Sequence, residues 1–314
     1  MRQEYYNMDT LKVHVIIPTY KPDEKFYNLV QMLKKQSYPI SKILIINTEK
    51  KWFPSYRYES DPEIEIHHIQ KEEFDHGGTR DRAARLCDGD ILIFMTQDAV
   101  PSDPYLVEEL IKPFAREEVA AAYARQLPAQ GCSLMERYTR AFNYGPMSRQ
   151  KSKADLPTLG IKTYFCSNVC AAYRREIYEQ MGGFEKHTIF NEDMIFAGKL
   201  IQADYSIAYV AEAKVIHSHN YTNRELFQRN FDLAVSQADH PEIFGEVKSE
   251  SEGIRLVKQT ARYLWHMHKP WLIPDLLVKS AYKYMGYRKG KKYRQLSRKK
   301  ILRYTMNPSY WESE

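Results

Sequence analysis

The segment KVHVIIPTY, at residues 12–20, contains a short apolar run that is rich in β-branched side chains and is expected to stop at Pro18. Such a run is typical of a strand that is buried on both faces. Similar runs follow at residues 42–47, 64–69 and 90–95, and apolar residues recur at helical spacing between the first two runs. Alternating strands and helices predict an α/β fold with a parallel, doubly wound sheet that helices cover on both sides.

The rest of the chain divides into a mixed part and a helical part. The elements expected in the mixed part are a strand within residues 164–173, a helix from about Arg174 that stops at Gly182-Gly183, a helix that opens with Glu192 and Asp193, and a strand-like segment that ends at His217 and His219. From about Thr222 the pattern is mostly helical. We therefore expect one domain at residues 1–221 and a helical region at residues 222–314.

Composition indicates a globular protein. The chain has 314 residues, of which 43% are hydrophobic, and a formal net charge of +6. It contains no run of about 18 apolar residues that could span a bilayer, and its first residues lack the apolar stretch of a secretory signal. The four cysteines do not have the spacing of most zinc or redox motifs. We expect reduced thiols and a cytoplasmic location.

The positive charge is concentrated near the C-terminus. Between Arg255 and Arg303 the only acidic residue is Asp275, and lysines and arginines there are interleaved with tryptophans and tyrosines. Composition leaves three interpretations of this region: a surface for an anionic membrane, an ordinary solvated helical cap, and a nucleic-acid-binding surface. The third interpretation gives the first two thirds of the chain no role, so we do not expect nucleic acid as a partner.

Polar residues, among them Thr19, Asn47 and Asp98, lie at or just beyond the ends of the predicted strands, at the edge where parallel sheets bind ligands. The segment from Asp75 to Arg80 combines two glycines, a cation and the start of a helix that Thr79 is expected to cap. These features suit an anionic diphosphate. The segment lacks the GK[ST] ending of a Walker loop, and no GxGxxG follows the first strand, which disfavours a dehydrogenase.

Asp98 and His217 are candidate metal ligands. Asp98 comes directly after the strand at residues 90–95, where a carboxylate is able to bind Mg²⁺ or Mn²⁺, although an aspartate after a strand is also a common turn former. His217 could complete a metal shell, or it could be a partly buried polar residue at a strand end. Because His217 and His219 alternate along a predicted strand, we expect them to point to opposite faces.

Asp193 is the candidate general base, the group that takes the proton of an attacking hydroxyl. A helix N-terminus stabilises negative charge, so we expect Asp193 to stay ionised near neutral pH. The alternative is structural, because carboxylates are common in the first turn of a helix.

Six segments, taken in order, resemble glycosyltransferase family 2 over roughly residues 12–220. These segments are IIPTYKP, the IIN that ends the second strand, GGTRDRAA, the strand leading to TQDAVP, the R-x-x-x-x-x-x-GGF segment, and the Glu192-Asp193 pair. The sequences of two segments, FDHGGTR and FMTQDAVP, resemble those of the bacterial rhamnosyltransferase branch of this family. The chain departs from the usual Asp-x-Asp metal motif, because Thr96-Gln97-Asp98 keeps only the final carboxylate.

The resemblance implies an A-type nucleotide-diphospho-sugar transferase fold, with a mixed, Rossmann-like sheet flanked by helices, and an inverting single displacement that uses a divalent cation, Mg²⁺ or Mn²⁺. Carried over by position, Thr19 and Asn47 lie at the nucleobase and Arg80 lies near the donor. The residues assigned are Pro18, Thr19, Tyr20, Asn47, Asp75, His76, Gly77, Gly78, Arg80 and Gln97 for the donor, Asn168 and Glu192 for the acceptor side, Asp98 and His217 for the metal, and Asp193 for catalysis.

The same branch implies dTDP-L-rhamnose as the donor and a lipid-linked saccharide of a growing surface polysaccharide as the acceptor. With such an acceptor, the basic C-terminal region would lie on the inner face of the plasma membrane. The alternative from another class is a noncatalytic nucleotide-sugar or glycan-binding protein that kept the fold after its metal motif decayed. Thr96 and Gln97 favour that alternative, whereas Asp98 and Asp193 favour the enzyme.

Overall fold

The computed structural model describes residues 11–58, 60–245 and 250–312, which form two compact units. The first unit comprises the described residues up to Leu127 together with Tyr144–Lys186 and Glu192–His217. The second unit comprises Pro128–Asn143, His187–Asn191 and the described residues from Ser218 onward. Each unit is therefore built from segments that are distant in sequence.

Four parallel strands form one half of the sheet in the first unit, in the order β3-β2-β1-β4. They are β1 (Val13–Tyr20), β2 (Lys42–Thr48), β3 (Ile64–Ile69) and β4 (Ile91–Met95), which confirms the four strands expected from the apolar runs. Pro18 does not end β1. Because β1 pairs with β4 only as far as Ile16, Pro18 lies where the strand has a neighbour on one side only, a position that tolerates a residue without an N–H.

The other half of the sheet is mixed. Its strands are β5 (Val100–Pro101), β6 (Val119–Leu127), β7 (Arg149–Lys151), β8 (Cys170–Arg174) and β9 (Ser206–Ile216). Strand β8 lies antiparallel between β4 and β6, and β9 is parallel to β6 and antiparallel to β5 and β7. The expectation of a wholly parallel sheet is therefore wrong for this half, whereas the mixed sheet implied by the family resemblance is confirmed.

Helices flank the sheet of the first unit and make up most of the second. In chain order they are α1 (Glu24–Leu33), α2 (His76–Ala84), α3 (Leu106–Ile111), α4 (Leu134–Asn143), α5 (Leu156–Leu159), α6 (Arg175–Gln180), α7 (Glu192–Gln202), α8 (Asn223–Asp239), α9 (Pro241–Phe244), α10 (Glu250–His266), α11 (Ile273–Gly290), α12 (Arg298–Tyr304) and α13 (Pro308–Glu312). The helices expected at the Glu192-Asp193 pair and beyond Thr222 are confirmed.

The two faces of the sheet bury different kinds of side chain. Ile93 of β4 belongs to a buried cluster with Phe26 of α1 and Leu110 of α3. Phe94, the next residue, points to the opposite face, where its ring centroid lies 5.0 Å from that of Phe184. A fully buried side chain of this size contributes about 1.5–3 kcal/mol. Burial on both faces explains why the sequence of β4 is apolar without alternation.

Helices α8 and α11 of the second unit approach each other closely through a glycine. A Cβ atom at Gly286 would overlap with the backbone carbonyl oxygen of Phe227. The carboxylate of Asp232 on α8 accepts hydrogen bonds from the Thr305 hydroxyl at 2.7 Å and from the Met306 backbone N–H at 2.8 Å, so it ties the C-terminal segment to this helix. No helix among the described residues has both the length and the apolar composition needed to cross a membrane.

Candidate active site

The carboxyl ends of β1, β2 and β3 carry a row of three hydrogen-bonded side chains, Thr19, Asn47 and His68, which lie opposite one another in the strand registers. The Thr19 hydroxyl donates to Oδ1 of Asn47 at 3.1 Å, and Nδ2 of Asn47 donates to Nδ1 of His68 at 3.0 Å. Burial lowers the pKa of His68, which favours a neutral ring that accepts at Nδ1. Thr19 and Asn47 are both buried, so the row forms a fixed polar layer at this edge.

Gln97 ties the loop after β4 to the end of β1. Its Oε1 accepts from the backbone N–H of Tyr20 at 2.8 Å, and its Nε2 donates to the carbonyl oxygen of Tyr20 at 3.1 Å. Two hydrogen bonds to one backbone residue fix the orientation of the amide. The Lys21 ammonium lies 5.1 Å from the centroid of the exposed Tyr20 ring and 4.8 Å from that of Trp52. This edge of the sheet therefore presents aromatic and cationic groups.

Asp98 and His217 meet at the same edge, with Oδ2 of Asp98 3.5 Å from Nε2 of His217. Nδ1 of His217 lies 2.9 Å from Oε1 of Gln126. Because an amide oxygen only accepts hydrogen bonds, we assign a ring proton to Nδ1, which leaves Nε2 as the ring nitrogen that faces the carboxylate. An imidazole nitrogen and a carboxylate oxygen at this distance fit the ligands of a shared cation.

His219 completes the cluster. The possible ligand atoms of Asp98, His217 and His219 all lie within 4.8 Å of one another. The expectation that strand alternation separates the two histidines is wrong, because β9 ends at Ile216 and the backbone beyond it is no longer a strand. One carboxylate and two imidazoles are a donor set that suits a divalent transition-metal ion such as Mn²⁺. The histidines therefore offer the ligands that the Thr96-Gln97-Asp98 triplet lacks.

Asp75 caps helix α2, and its side chain accepts from the backbone N–H of Gly78. The Thr79 hydroxyl accepts from the backbone N–H of Asp75 at 3.1 Å. The expectation that Thr79 is the cap is wrong, because the helix begins three residues earlier, at His76, after the extended backbone of Asp75. Gly77 is buried, and a Cβ atom at Gly78 would lie 3.0 Å from the Asp75 carboxylate. The two glycines therefore fit a tightly packed helix start.

Arg80 pairs with Glu192 at the start of α7. Nη1 of Arg80 lies 3.2 Å from Oε1 of Glu192 and donates to the carbonyl oxygen of His76 at 2.8 Å. Nδ2 of Asn168 donates to the same Oε1 of Glu192 at 3.2 Å. Burial acts to raise the pKa of Glu192, but the positive charge of Arg80, with smaller contributions from His76 and Asn168, holds the pKa below its usual value. Glu192 is therefore ionised at neutral pH.

Asp193 accepts two backbone hydrogen bonds, from Asn168 at 3.0 Å and from Met194 at 2.8 Å. Despite these bonds, loss of solvent around the carboxyl group and then the negative charge of Glu192 raise the pKa of Asp193 to about 7. The expectation that Asp193 stays fully ionised near neutral pH is therefore wrong, because burial and a like charge outweigh the helix N-terminus. A partly buried aspartate whose pKa lies near 7 suits a proton acceptor.

Backbone pairing brings Asp98 and Asp193 to the same end of β4. The N–H of Thr96 donates to the carbonyl oxygen of Val169 at 3.2 Å. Asn168, the residue before Val169, donates to Asp193, and Asp98 follows Thr96 by two residues. The candidate metal ligands and the acidic pair therefore lie around one edge of the sheet.

Sequence reasoning missed three residues of this edge. His68 is the second-to-last residue of β3, so the strand-end rule that selected Thr19 and Asn47 could have found it. His219 was set aside by strand alternation, which no longer applies beyond β9. Gln126 belongs to no motif, and its role depends on the pairing of β6 with β9.

Comparison with known proteins identifies the family. The family model described as Glycosyl transferase family 2 matches residues 14–182. The O-antigen chain rhamnosyltransferase RfbN of Salmonella typhimurium is 40% identical over 307 residues, which cover 96% of this chain and 97% of that protein. The O-antigen chain rhamnosyltransferase WbaN of Salmonella anatum is 40% identical over 304 residues, which cover 95% of each.

Solved structures share the fold at low sequence identity. The mannosyltransferase PcManGT from Pyrobaculum calidifontis, in complex with GDP-Man and Mn²⁺, is similar with a TM-score of 0.60 and 15% identity, over 92% of this chain and 89% of that one. TarS 1-349 from S. aureus, in complex with UDP-GlcNAc, is similar with a TM-score of 0.51 and 14% identity, over 91% and 92%. With the fold, the family match and the two full-length relatives in agreement, this chain belongs to glycosyltransferase family 2 and is a glycosyltransferase.

Proposed function

We propose that this chain transfers L-rhamnose from dTDP-L-rhamnose to a hydroxyl of a lipid-linked O-antigen chain, with inversion at the anomeric carbon. The observation that carries the chemical part is the pKa of about 7 of Asp193, a partly buried residue in the first turn of α7. The sugar and the acceptor come from the names of the two relatives that are 40% identical over nearly the whole chain.

Asp193 acts as the general base in this proposal. Its ionised carboxylate takes the proton of the acceptor hydroxyl while the hydroxyl oxygen bonds to the anomeric carbon. The bond from that carbon to the diphosphate oxygen breaks, and its electron pair leaves with the diphosphate. Glu192 stays ionised beside Arg80, and with Asn168 it lines the acceptor side. General base catalysis of this kind contributes about 10²–10⁴ in rate.

Asp98, His217 and His219 would hold a divalent cation, and their donor atoms fit one. When bound, the cation supplies positive charge that stabilises the departing diphosphate. The hydrogen-bonded row formed by Thr19, Asn47 and His68 would orient the nucleobase. The two hydrogen bonds between the Gln97 side chain and the Tyr20 backbone would fix the backbone beside it.

The start of α2 would lie under the diphosphate. Arg80 keeps one unused donor there, because its Nε is buried and has no hydrogen-bond partner among the described residues. An anion that approaches this N–H would meet a guanidinium whose Nη1 is held by Glu192 and His76. The arrangement supports a role of Arg80 near the donor, in addition to its role of keeping Glu192 ionised.

The second unit would bind the anionic inner face of the plasma membrane, where a lipid-linked acceptor lies. Residues 265–271, WHMHKPW, comprise the end of α10 and most of its connection to α11, and we call them the tip. Trp265 and Trp271 of the tip are 66% and 65% exposed, and the Lys269 ammonium lies 4.9 Å from the Trp271 ring. Exposed tryptophans beside basic residues are typical of membrane-surface helices.

The outer face of α11 continues this surface. Its exposed apolar side chains recur at about one helical turn, and they are Leu277, Val278, Tyr282 and Met285. From Arg255 through Arg303, both included, the sequence has fifteen lysines and arginines and one acidic residue, Asp275. A second copy of the chain would bring the same positive charge, whereas anionic lipid neutralises it at about 1 kcal/mol per basic residue. An anionic membrane is therefore the partner that this surface fits.

A donor panel tests the enzyme proposal. The purified chain is incubated with dTDP-, UDP- and GDP-sugars and an O-antigen acceptor, with Mn²⁺, with Mg²⁺ and with EDTA, and nucleotide release is measured. We expect acceptor-dependent release of dTDP from dTDP-L-rhamnose, stopped by EDTA, and a loss of about 10³ in Asp193→Asn. Asp204→Asn, on an exposed turn, serves as the matched control with normal turnover.

Two results would contradict the proposal. If Asp193→Asn transferred sugar at the rate of the unaltered chain, Asp193 would not be the base. If the chain bound dTDP-L-rhamnose but never released dTDP with any acceptor, the noncatalytic binding protein favoured by Thr96 and Gln97 would replace the enzyme.

A further inference from the structure

Gln126 is a buried amide that links the two halves of the candidate site. It lies at the carboxyl end of β6, opposite Val215 of β9, and is 2% exposed. No motif includes it, and none of the roles assigned above requires it to contact donor or acceptor. Its amide oxygen and its amide nitrogen nevertheless bond to different parts of the site.

The amide oxygen faces the candidate metal ligands. Oε1 of Gln126 lies 2.9 Å from Nδ1 of His217, and Nε2 of the same ring lies 3.5 Å from Oδ2 of Asp98. A histidine that binds a metal through one ring nitrogen usually donates the other N–H to an acceptor, which fixes the tautomer and the ring orientation. Gln126 is placed to be that acceptor.

The amide nitrogen contacts the segment that precedes the Asn168 N–H. Nε2 of Gln126 donates to the Ser167 hydroxyl at 3.1 Å and also to the hydroxyl of the buried Tyr144. Ser167 precedes Asn168, whose backbone N–H donates to Asp193. One side chain therefore contacts both the ring that would hold the cation and the turn that holds the general base.

We propose that Gln126 is a positioning residue that presents Nε2 of His217 to the cation and aligns the Ser167-Asn168 turn beneath Asp193. The inference rests on the proposed function, since it places a divalent cation at Asp98 and His217. The two ends of the Gln126 amide have different effects. Loss of the amide oxygen weakens cation binding, and loss of the contact to Ser167 slows turnover without weakening cation binding.

The experiment measures Mn²⁺ affinity of the full chain by titration followed with electron paramagnetic resonance, with dTDP present and no sugar donor. We expect Gln126→Met, which keeps the size and removes both polar atoms, to bind Mn²⁺ about 10–100-fold more weakly. We expect Gln126→Glu, which keeps an oxygen acceptor for the His217 N–H, to stay within about threefold of the unaltered chain. Ser167→Ala should bind Mn²⁺ normally and lower kcat at saturating Mn²⁺ by about tenfold.

Gln237→Met is the matched control, because Gln237 is also a buried glutamine, 5% exposed, whose Oε1 accepts from the Tyr287 hydroxyl in the second unit. It should leave Mn²⁺ affinity unchanged. Normal Mn²⁺ affinity in Gln126→Met, or an equal loss in Gln126→Glu, would overturn the inference. Absence of Mn²⁺ binding by the unaltered chain would overturn the metal assignment and this inference with it, whereas normal binding without sugar transfer would overturn only the proposed function.

Discussion

Nη1 of Arg80 lies 3.2 Å from Oε1 of Glu192, and this buried ion pair controls the charge beside Asp193. Arg80 keeps Glu192 ionised, and the negative charge of Glu192 is, after burial, the largest cause of the raised pKa of Asp193. A carboxyl group with a pKa of about 7 is partly deprotonated at neutral pH and is a stronger base than an ordinary aspartate. The two carboxyl groups therefore titrate as a pair. Glu192 stays ionised, and its charge raises the pKa at which Asp193 releases its proton.

The first prediction concerns pH dependence. A base must be deprotonated to act, so activity should rise as pH increases through about 7, the pKa of Asp193. Glu192→Gln removes the neighbouring negative charge, which lowers that pKa and moves the acid limb of the kcat profile to lower pH by about one unit. Glu185→Gln, at an ion pair with Lys199, is the control and should leave the limb in place. A limb that stayed fixed in Glu192→Gln would exclude Asp193 as the titrating base.

The second prediction concerns stability. Because the pKa of Asp193 is raised in the folded chain, its favourable contribution is full below the ordinary value of 3.8 and is lost as pH rises through about 7. Asp193→Asn should therefore raise the free energy of unfolding at pH 8 by about 1–3 kcal/mol, less than the full equivalent of the shift, because an amide oxygen replaces only one of the two acceptors. At pH 4 the gain should vanish. Urea unfolding at both pH values measures this, and an equal change at both would contradict the assignment.

Much of the first unit could be predicted from sequence because local pattern and local structure agree there. The apolar runs that became β1, β2 and β4 are buried on both faces, so their apolar composition follows directly from their environment. The strand-end rule then placed Thr19, Asn47 and Asp98 at one edge.

The remaining features of the fold and of the candidate site depend on contacts that no local pattern encodes. The direction of β8 is fixed by pairing across 79 residues, as Ile93 lies opposite Ala172. The pKa of Asp193 depends on burial and on Glu192, which outweigh the helix N-terminus from which its ionisation was expected. His219 joins Asp98 only because the strand stops at Ile216.

The third prediction concerns the crossing of α8 and α11. Gly286→Ala should destabilise the chain by about 1–3 kcal/mol, because the new Cβ atom would overlap with the Phe227 carbonyl oxygen and force the helices apart. Gly253→Ala is the matched control in α10, where nothing lies within 4 Å of the added atom, and it should stabilise the chain by about 0.5–1 kcal/mol. Thermal unfolding of both variants measures the difference. Equal behaviour would mean that the helices do not cross at Gly286.

The last prediction concerns the tip. Replacing Trp265 and Trp271 together by alanine removes two large exposed aromatic side chains without opening a core, so the fold should persist while binding to anionic vesicles falls by about tenfold or more. The control replaces Tyr56 and Tyr105, which are 72% and 56% exposed in the first unit, and should bind vesicles normally. Sedimentation with phosphatidylglycerol vesicles, at low and at high salt, makes the measurement. Since the basic residues remain in the tryptophan variant, its residual binding should be lost at high salt. Unchanged sedimentation of that variant would show that the tip does not enter the membrane interface.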